Sequence, residues 1–418
     1  MIGSALLALG LVLGVASQLR LPSFPLGVGE ACLALWLGLA LLHILTIKRL
    51  CNPGTLVWLG TFWGVFAFTL TLGTCLALLR QELDPESMLH DTFAYLLGAA
   101  ISCFLVATMH SDGPLRQAQW FLIAFWSITL VAQLALGCEF IHISSVDPWY
   151  WDRFRGWSEN PNQLALYCAI LTALSLHLVV SAKGLGRFVA AFSLLASFVV
   201  GRMTKSDTFL GAMIISGALF LVLRLRSWLL SPEHRSSMRF VAAAFLAIAI
   251  VPLSLSLIPY AAATADNVEG LAASMTKDHG GDATRRTAML RLELWQAGLY
   301  TGVKAGSLGL GPGPHLERPI GLTSSSRSSR YFEAHSMLLD VFTQAGLVGV
   351  ITVYSLFIGA FLLALRAKLD VLAVLIITLI IFGGSHFILR HPIVWFAIAL
   401  SLVLSSARAP RLHASNGN

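Results

Sequence analysis

Long apolar runs, separated by short polar interruptions, make up most of this chain. They fall near residues 2–19, 26–46, 55–79, 92–109, 117–137, 163–182, 187–203, 207–223, 240–260, 336–365, 369–389 and 391–407. A helix needs about 20 mostly apolar residues to cross the hydrocarbon core of a bilayer. A helix also satisfies its own backbone polar groups, which lipid cannot do. The pattern therefore predicts an all-α membrane protein with about twelve transmembrane helices. The first run has no basic segment ahead of it and many runs behind it, so it is read as a span and not as a leader. The expected organisation is residues 1–260 with spans one to nine, a large polar loop at 261–335, and residues 336–418 with spans ten to twelve and a short tail.

Composition agrees with this reading. The 418 residues are 56% hydrophobic and 12% charged, about half the charged fraction of an ordinary soluble chain. The six cysteines form no CxxC pair and read as small buried hydrophobes. A net charge of +7 would suggest nucleic acid for a soluble protein. Here it follows from basic inner loops and attraction to anionic membrane lipids, and no nucleic-acid partner is expected.

Charge also orients the chain. With the N-terminus inside, Lys48, Arg49, Arg116, Lys183, Arg187, Arg224, Arg226, Arg235, Arg239, Arg366, Lys368, Arg408 and Arg411 all face the cytoplasm, as the positive-inside tendency requires. The acidic stretch RQELDPESMLHD at 80–91 falls outside. Most of the other basic residues concentrate on the outer side in four places, at Arg153 and Arg155, at Arg202 and Lys205, in the 261–335 loop and at Arg390. Such a gathering suggests an anion site on the outer face; solvated loop charges or anchors to lipid phosphates are the alternative.

Four stretches carry candidate chemistry. In RFRGWSENPNQLALY (153–167), Asn160 and Pro161 suit a helix start. The stretch is either a capped helix entry or a place where Arg155 and Asn162 contact a polar substrate. In GRMTKSDTFLG (201–211), ionisable groups interrupt two adjacent spans, which is costly and usually functional. Arg202 is expected to point into a cavity, and Ser206 or Asp207 to cap the next span. In RRTAMLRLELWQAGLYTGV (285–303), a helical pattern puts Arg291 and Trp295 on one face. The arginine fork suits phosphate, while a solvated amphipathic helix is the plain alternative. A run GSLGLGPGP (306–314) and a tract TSSSRSSR (323–330) then lead to AHSMLLDVFTQAGLVG (334–349). There His335 is either a general base, since its ordinary pKa lies near working pH, or an interfacial residue. Asp340 sits one turn deeper, to orient the imidazole or pair with an arginine. Gly346 and Gly349 are read as a close helix-packing pair.

RFRGWSENPNQLA, TKSDTFLG, RLELWQAGL with GSLGLGPG, and AHSMLLDVFTQAGLVG, in this order, resemble the O-antigen ligase/polymerase superfamily of bacterial membrane glycosyltransferases. The resemblance implies a GT-C-like fold and an active site facing the periplasm from the inner membrane. It implies transfer of a glycan from an undecaprenyl-pyrophosphate carrier to an acceptor hydroxyl, with no metal or cofactor. The acceptor is lipid A-core for a ligase, the favoured reading, or the next carrier-linked repeat unit for a polymerase. His335 matches the acceptor-activating base and Arg291 the loop arginine ahead of Trp295. The family's usual Ser-Arg-Gly is here Ser206-Asp207-Thr208, which leaves Arg202, Lys205 and Arg286 as candidates for the second pyrophosphate contact. Arg155, Asn162, Arg330 and Asp340 complete the expected site. A flippase or transporter is the remote alternative; it would show repeated halves, and no repeat is visible.

Overall fold

A computed structural model describes residues 1–20, 27–80, 84–110, 113–229, 281–317 and 331–415, side chains at 281–288 and 409–415 excepted. Twelve α-helices lie among these residues: α1 (Ile2–Leu13), α2 (Val28–Ile47), α3 (Pro53–Arg80), α4 (Pro85–Thr108), α5 (Pro114–Gly137), α6 (Pro161–Ser181), α7 (Gly184–Met203), α8 (Asp207–Leu229), α9 (Gly281–Lys304), α10 (Met337–Arg366), α11 (Asp370–Ser385) and α12 (Pro392–Ser415). Eleven of the twelve expected spans thus coincide with helices, and the expected span at 240–260 lies outside the described residues. Eight helices, α2 to α8 and α10, are long and apolar enough to cross a membrane. The protein is an all-α, multi-pass membrane protein.

The core lies on α6, α11 and α12, whose runs Leu164–Leu171, Leu372–Ile376 and Ile393–Leu400 are almost wholly inaccessible. Large apolar side chains stay exposed on outer helices, among them Leu39 and Leu42 on α2, Phe188 and Phe192 on α7, and Ile214 and Leu221 on α8. That inversion suits lipid as the surrounding solvent, where apolar exposure carries no penalty. Hydroxyl pairs join buried helix faces: Ser216 with Thr378 and Thr208 with Ser385, both at 2.7 Å, tie α8 to α11. Small polar residues of this kind supply interhelical hydrogen bonds where no hydrophobic drive separates helix from lipid.

The middle of α10 departs from the sequence expectation. Gly346 does not merely let a neighbouring helix close in; the helix breaks there, at φ +68°. The glycine-rich run fills the break. Leu310 N–H donates to the Thr343 carbonyl and Gly311 N–H to the Gln344 carbonyl, both at 2.8 Å, while Leu347 N–H donates to Ser307 O at 2.9 Å. A non-helical backbone at such depth survives because it is buried in protein and its polar groups find these partners. The run also lies hard against α3, where a Cβ on Gly73 would come within 2.4 Å of the Gly311 nitrogen. Gly349, by contrast, does pack against α3, near Thr69.

Two short hairpins shape one end of the bundle. Trp149–Tyr150 pairs with Arg153–Phe154 between α5 and α6, and Leu316–Glu317 pairs with Tyr331–Phe332 ahead of α10. The second hairpin closes the chain on both sides of the Ser/Arg tract. Leu294 of α9, Leu316 and Ala334 bury together, which lays α9 across the start of α10. The Arg80 guanidinium donates to the Lys304 carbonyl at 3.2 Å and fixes the other end of α9 to α3.

Candidate functional site

The site gathers at this end, around the start of α10. His335 stands immediately before the helix with φ +52°, a left-handed conformation that β-carbon-bearing residues rarely adopt. Asp340 fixes it there. Its Oδ1 accepts the Ala334 N–H at 2.7 Å and its Oδ2 the Ser336 N–H at 2.9 Å. The carboxylate therefore grips the chain on both sides of His335 and caps α10 from within. Among the described residues it forms no hydrogen bond or ion pair with the imidazole or with an arginine, the two partners the sequence suggested.

The His335 side chain remains 51% exposed. Partial withdrawal from water lowers its pKa below the ordinary histidine value; Glu333 opposes this, and Arg291 and Arg390 push it further down. The ring is thus neutral at pH 7 and available to accept a proton. Arg291 on α9 is half-buried, and its charge is felt at both His335 and His386. No carboxylate among the described residues pairs with Arg291.

Below His335 lies a charged network that sequence reasoning did not assemble. Asp91 of α4 is only 1% exposed and forks onto Arg390 from the link between α11 and α12, with Nε 2.6 Å from Oδ1 and Nη2 donating to Oδ2 at 2.7 Å. Arg390 Nη1 also donates to Glu333 Oε1. Burial works against the Arg390 charge, but Glu333 and Asp91 outweigh it and hold the guanidinium above its ordinary pKa. The Gln344 amide donates to Asp91 Oδ2 at 3.4 Å and accepts the Tyr95 hydroxyl at 2.5 Å, which couples the network to the break in α10.

Two more histidines sit in the α11–α12 link. His386 is pushed down to about 3 by burial, then by Arg291, His335, His391 and Arg153. His391 is pushed down to about 4 by burial and Arg390. Both stay neutral at pH 7. His386 Nε2 is buried and has no hydrogen-bond partner among the described residues.

The other expected residues take different positions. Asn160 caps α6 by accepting the Asn162 N–H at 2.9 Å, with Pro161 in the first turn. Asn162 Oδ1 accepts from Arg153 at 2.8 Å, and Arg153 Nε donates to the Thr204 carbonyl at 3.0 Å. Arg155 grips Asp147 at 2.8 Å, and Lys205 pairs with Asp152 at 2.5 Å. Arg202 ends α7, is exposed, and pairs with no carboxylate among the described residues. Ser206 lies at the start of α8, where its hydroxyl accepts the Phe209 N–H at 3.4 Å. The Arg286 side chain and all of Arg330 lie outside the described residues.

Asp91, Glu333 and His386 are the residues sequence reasoning passed over, and Arg390 entered it only as one of the outer basic residues. Asp91 and Arg390 each border an apolar run, and an ionisable group at membrane depth is a usable signal. Their pairing is not legible, since about 300 residues separate them.

A multi-pass helical membrane protein with a backbone-clamped histidine in the field of an arginine that has no carboxylate partner among the described residues is the class that fold and site define. Residues 190–354 match the family model described as O-Antigen ligase, and over this segment the chain is similar to the O-antigen ligase superfamily. It supports a glycosyltransferase function of the general ligase/polymerase type. The matched segment includes α8, Arg291, the glycine-rich run, His335 and the break at Gly346. No curated protein sequence matches the chain.

Proposed function

We propose that the protein transfers a glycan from an undecaprenyl-pyrophosphate carrier to an acceptor hydroxyl of lipid A-core, at the periplasmic face of the bacterial inner membrane. The carrying observation is His335: neutral, half-exposed, clamped by Asp340 and within the field of Arg291. His335 takes the proton of the acceptor hydroxyl as its oxygen attacks the anomeric carbon. The bond from that carbon to the carrier phosphate breaks, and its electron pair leaves on the pyrophosphate. Arg291 stabilises the departing charge, with Arg202 as the candidate for the second contact because it too has no carboxylate partner among the described residues. Lys205 is less suited, because Asp152 already pairs with it. A fixed cation aimed at developing charge typically contributes several kcal/mol.

The orientation rests on charge. Lys48, Arg49, Arg116, Lys183, Arg187, Arg366 and Lys368 stand at helix ends opposite the site, and such residues favour the cytoplasm. The family match fits a ligase and a polymerase of carrier-linked repeats alike; the ligase is preferred on the pattern of residues 323–349.

The test is transfer in detergent, from carrier-linked glycan, with lipid A-core and carrier-linked repeat offered in parallel. His335→Ala should cost roughly 10²- to 10⁴-fold; near-normal transfer by that variant removes the reading. Product on the carrier-linked acceptor alone favours polymerase. Because arginines supply the charge, transfer is expected to persist in EDTA.

A further inference from the structure

Glu333 turns its two oxygens in different directions. Oε1 meets Arg390, and Oε2 lies 3.9 Å from His335 Nδ1. Arg390 is in turn anchored by the two oxygens of buried Asp91. Two further elements, α4 through Asp91 and the α11–α12 link through Arg390, thereby hold the carboxylate that faces the imidazole. Asp340 has already fixed the His335 backbone, so only the ring's own torsions remain to be set.

We propose that Glu333 is a positioning residue: it orients the His335 imidazole through Nδ1 so that Nε2 faces the acceptor as the base, and the Asp91–Arg390 pair holds Glu333 in that role. This rests on the transfer reading above. With Nδ1–H directed at Oε2, the lone pair on Nε2 is free. When Nε2 takes the acceptor proton, the Glu333 carboxylate stabilises the imidazolium, while the acceptor oxygen forms its bond to the anomeric carbon and the pyrophosphate leaves with the old bonding pair. Separations of this kind commonly tighten when substrate binds. The hydrogen bond made by one ring nitrogen decides what the other can do.

Among the described residues, the charged and titratable groups around His335 are Glu333 and Asp340 on its own segment, Arg291 from α9, and Arg390 and His386 from the α11–α12 link. Among them Glu333 raises the His335 pKa and the arginines lower it. Removing the Glu333 charge should therefore move the acid limb of the rate profile to lower pH, even as the rate falls. A purely structural role predicts no such movement.

The experiment measures kcat, KM and the pH profile of Glu333→Gln and Glu333→Asp beside wild type and His335→Ala, with carrier-linked glycan and lipid A-core. Expected for Glu333→Gln is a loss in kcat of about 10- to 100-fold, the range seen when the group orienting a metal-bound histidine is removed. KM should change little, the acid limb should shift down, and Glu333→Asp should recover part of the rate. Wild-type kcat with an unmoved limb overturns the proposal. If Glu333→Gln fails to elute as a single species in detergent, Asp91→Asn decides, since it leaves Glu333 in place but loosens Arg390. A lowered kcat with a displaced limb then supports the proposal, and unchanged values overturn it. An active His335→Ala defeats the transfer reading itself; an inactive one beside a fully active Glu333→Gln defeats only the role of Glu333.

Discussion

Asp340 holds His335 through the main chain and not through the ring, accepting the N–H groups of Ala334 and Ser336 at 2.7 and 2.9 Å. A left-handed residue costs about 1–2 kcal/mol. Two hydrogen bonds to the Asp340 carboxyl, each about 0.5–1.5 kcal/mol, offset it. Strain kept at a site by its surroundings is a common mark of function.

Asp340→Asn tests that clamp. An asparagine presents one acceptor and one donor where two N–H groups need acceptors, so one amide loses its partner at a cost of about 1–3 kcal/mol. The expected result is a lower unfolding temperature in detergent together with reduced transfer. Equal stability and transfer would show that the clamp is dispensable.

Gly346→Ala tests the break in α10. A Cβ there would lie 2.2 Å from the Ser307 carbonyl oxygen, at a φ of +68°. The backbone term alone is about 1–2 kcal/mol, and the clash adds to it. Gly384→Ala is the control, because nothing lies within 4 Å of its added Cβ. Thermal unfolding should drop sharply for Gly346→Ala and hold for Gly384→Ala.

Arg291→Lys separates fork from charge. Lysine keeps the positive charge but presents a compact ammonium in place of the planar bidentate guanidinium. Transfer kinetics should show a loss of about tenfold or more, on the scale of one charged hydrogen bond. Full activity with lysine would mean that generic charge suffices.

The pH dependence has two parts, and its sign can be fixed. The His335 pKa lies below the ordinary value, so transfer should stay level as pH falls from 8 through about 6.5 and decline only below that. His386 and His391, pushed down to about 3 and about 4, are neutral in the fold but take up protons near pH 6.5 once unfolded. The unfolded chain therefore binds more protons between those values, and stability should fall as pH drops from about 6.5 towards 4. Unfolding temperatures at pH 7 and pH 5 check this, with the pH 5 value lower.

The charge network at Asp91 makes one more stability claim. Asp91→Ala leaves Arg390 buried with only Glu333 beside it, and removing one partner from a buried pair costs about 3–5 kcal/mol. A melting temperature close to wild type would show that water reaches Arg390 and replaces the carboxylate.

The sequence by itself determined the membrane class, the positions of eleven helices among the described residues, the cap at Asn160 and Pro161, and the place of His335 just ahead of α10. Those features rest on local rules: hydrophobic run length, capping chemistry, and a histidine ahead of an apolar helix. Tertiary structure alone decided that Gly346 breaks α10 to receive the glycine-rich run, because a helix and a broken helix share one apolar pattern. It alone decided that Arg155 and Lys205 pair with Asp147 and Asp152, and that Asp91 and Glu333 meet on Arg390. An arginine reads the same in sequence whether its fork is free or occupied; only the packing of distant helices brings a carboxylate within reach, and the low dielectric there makes the pairing decisive.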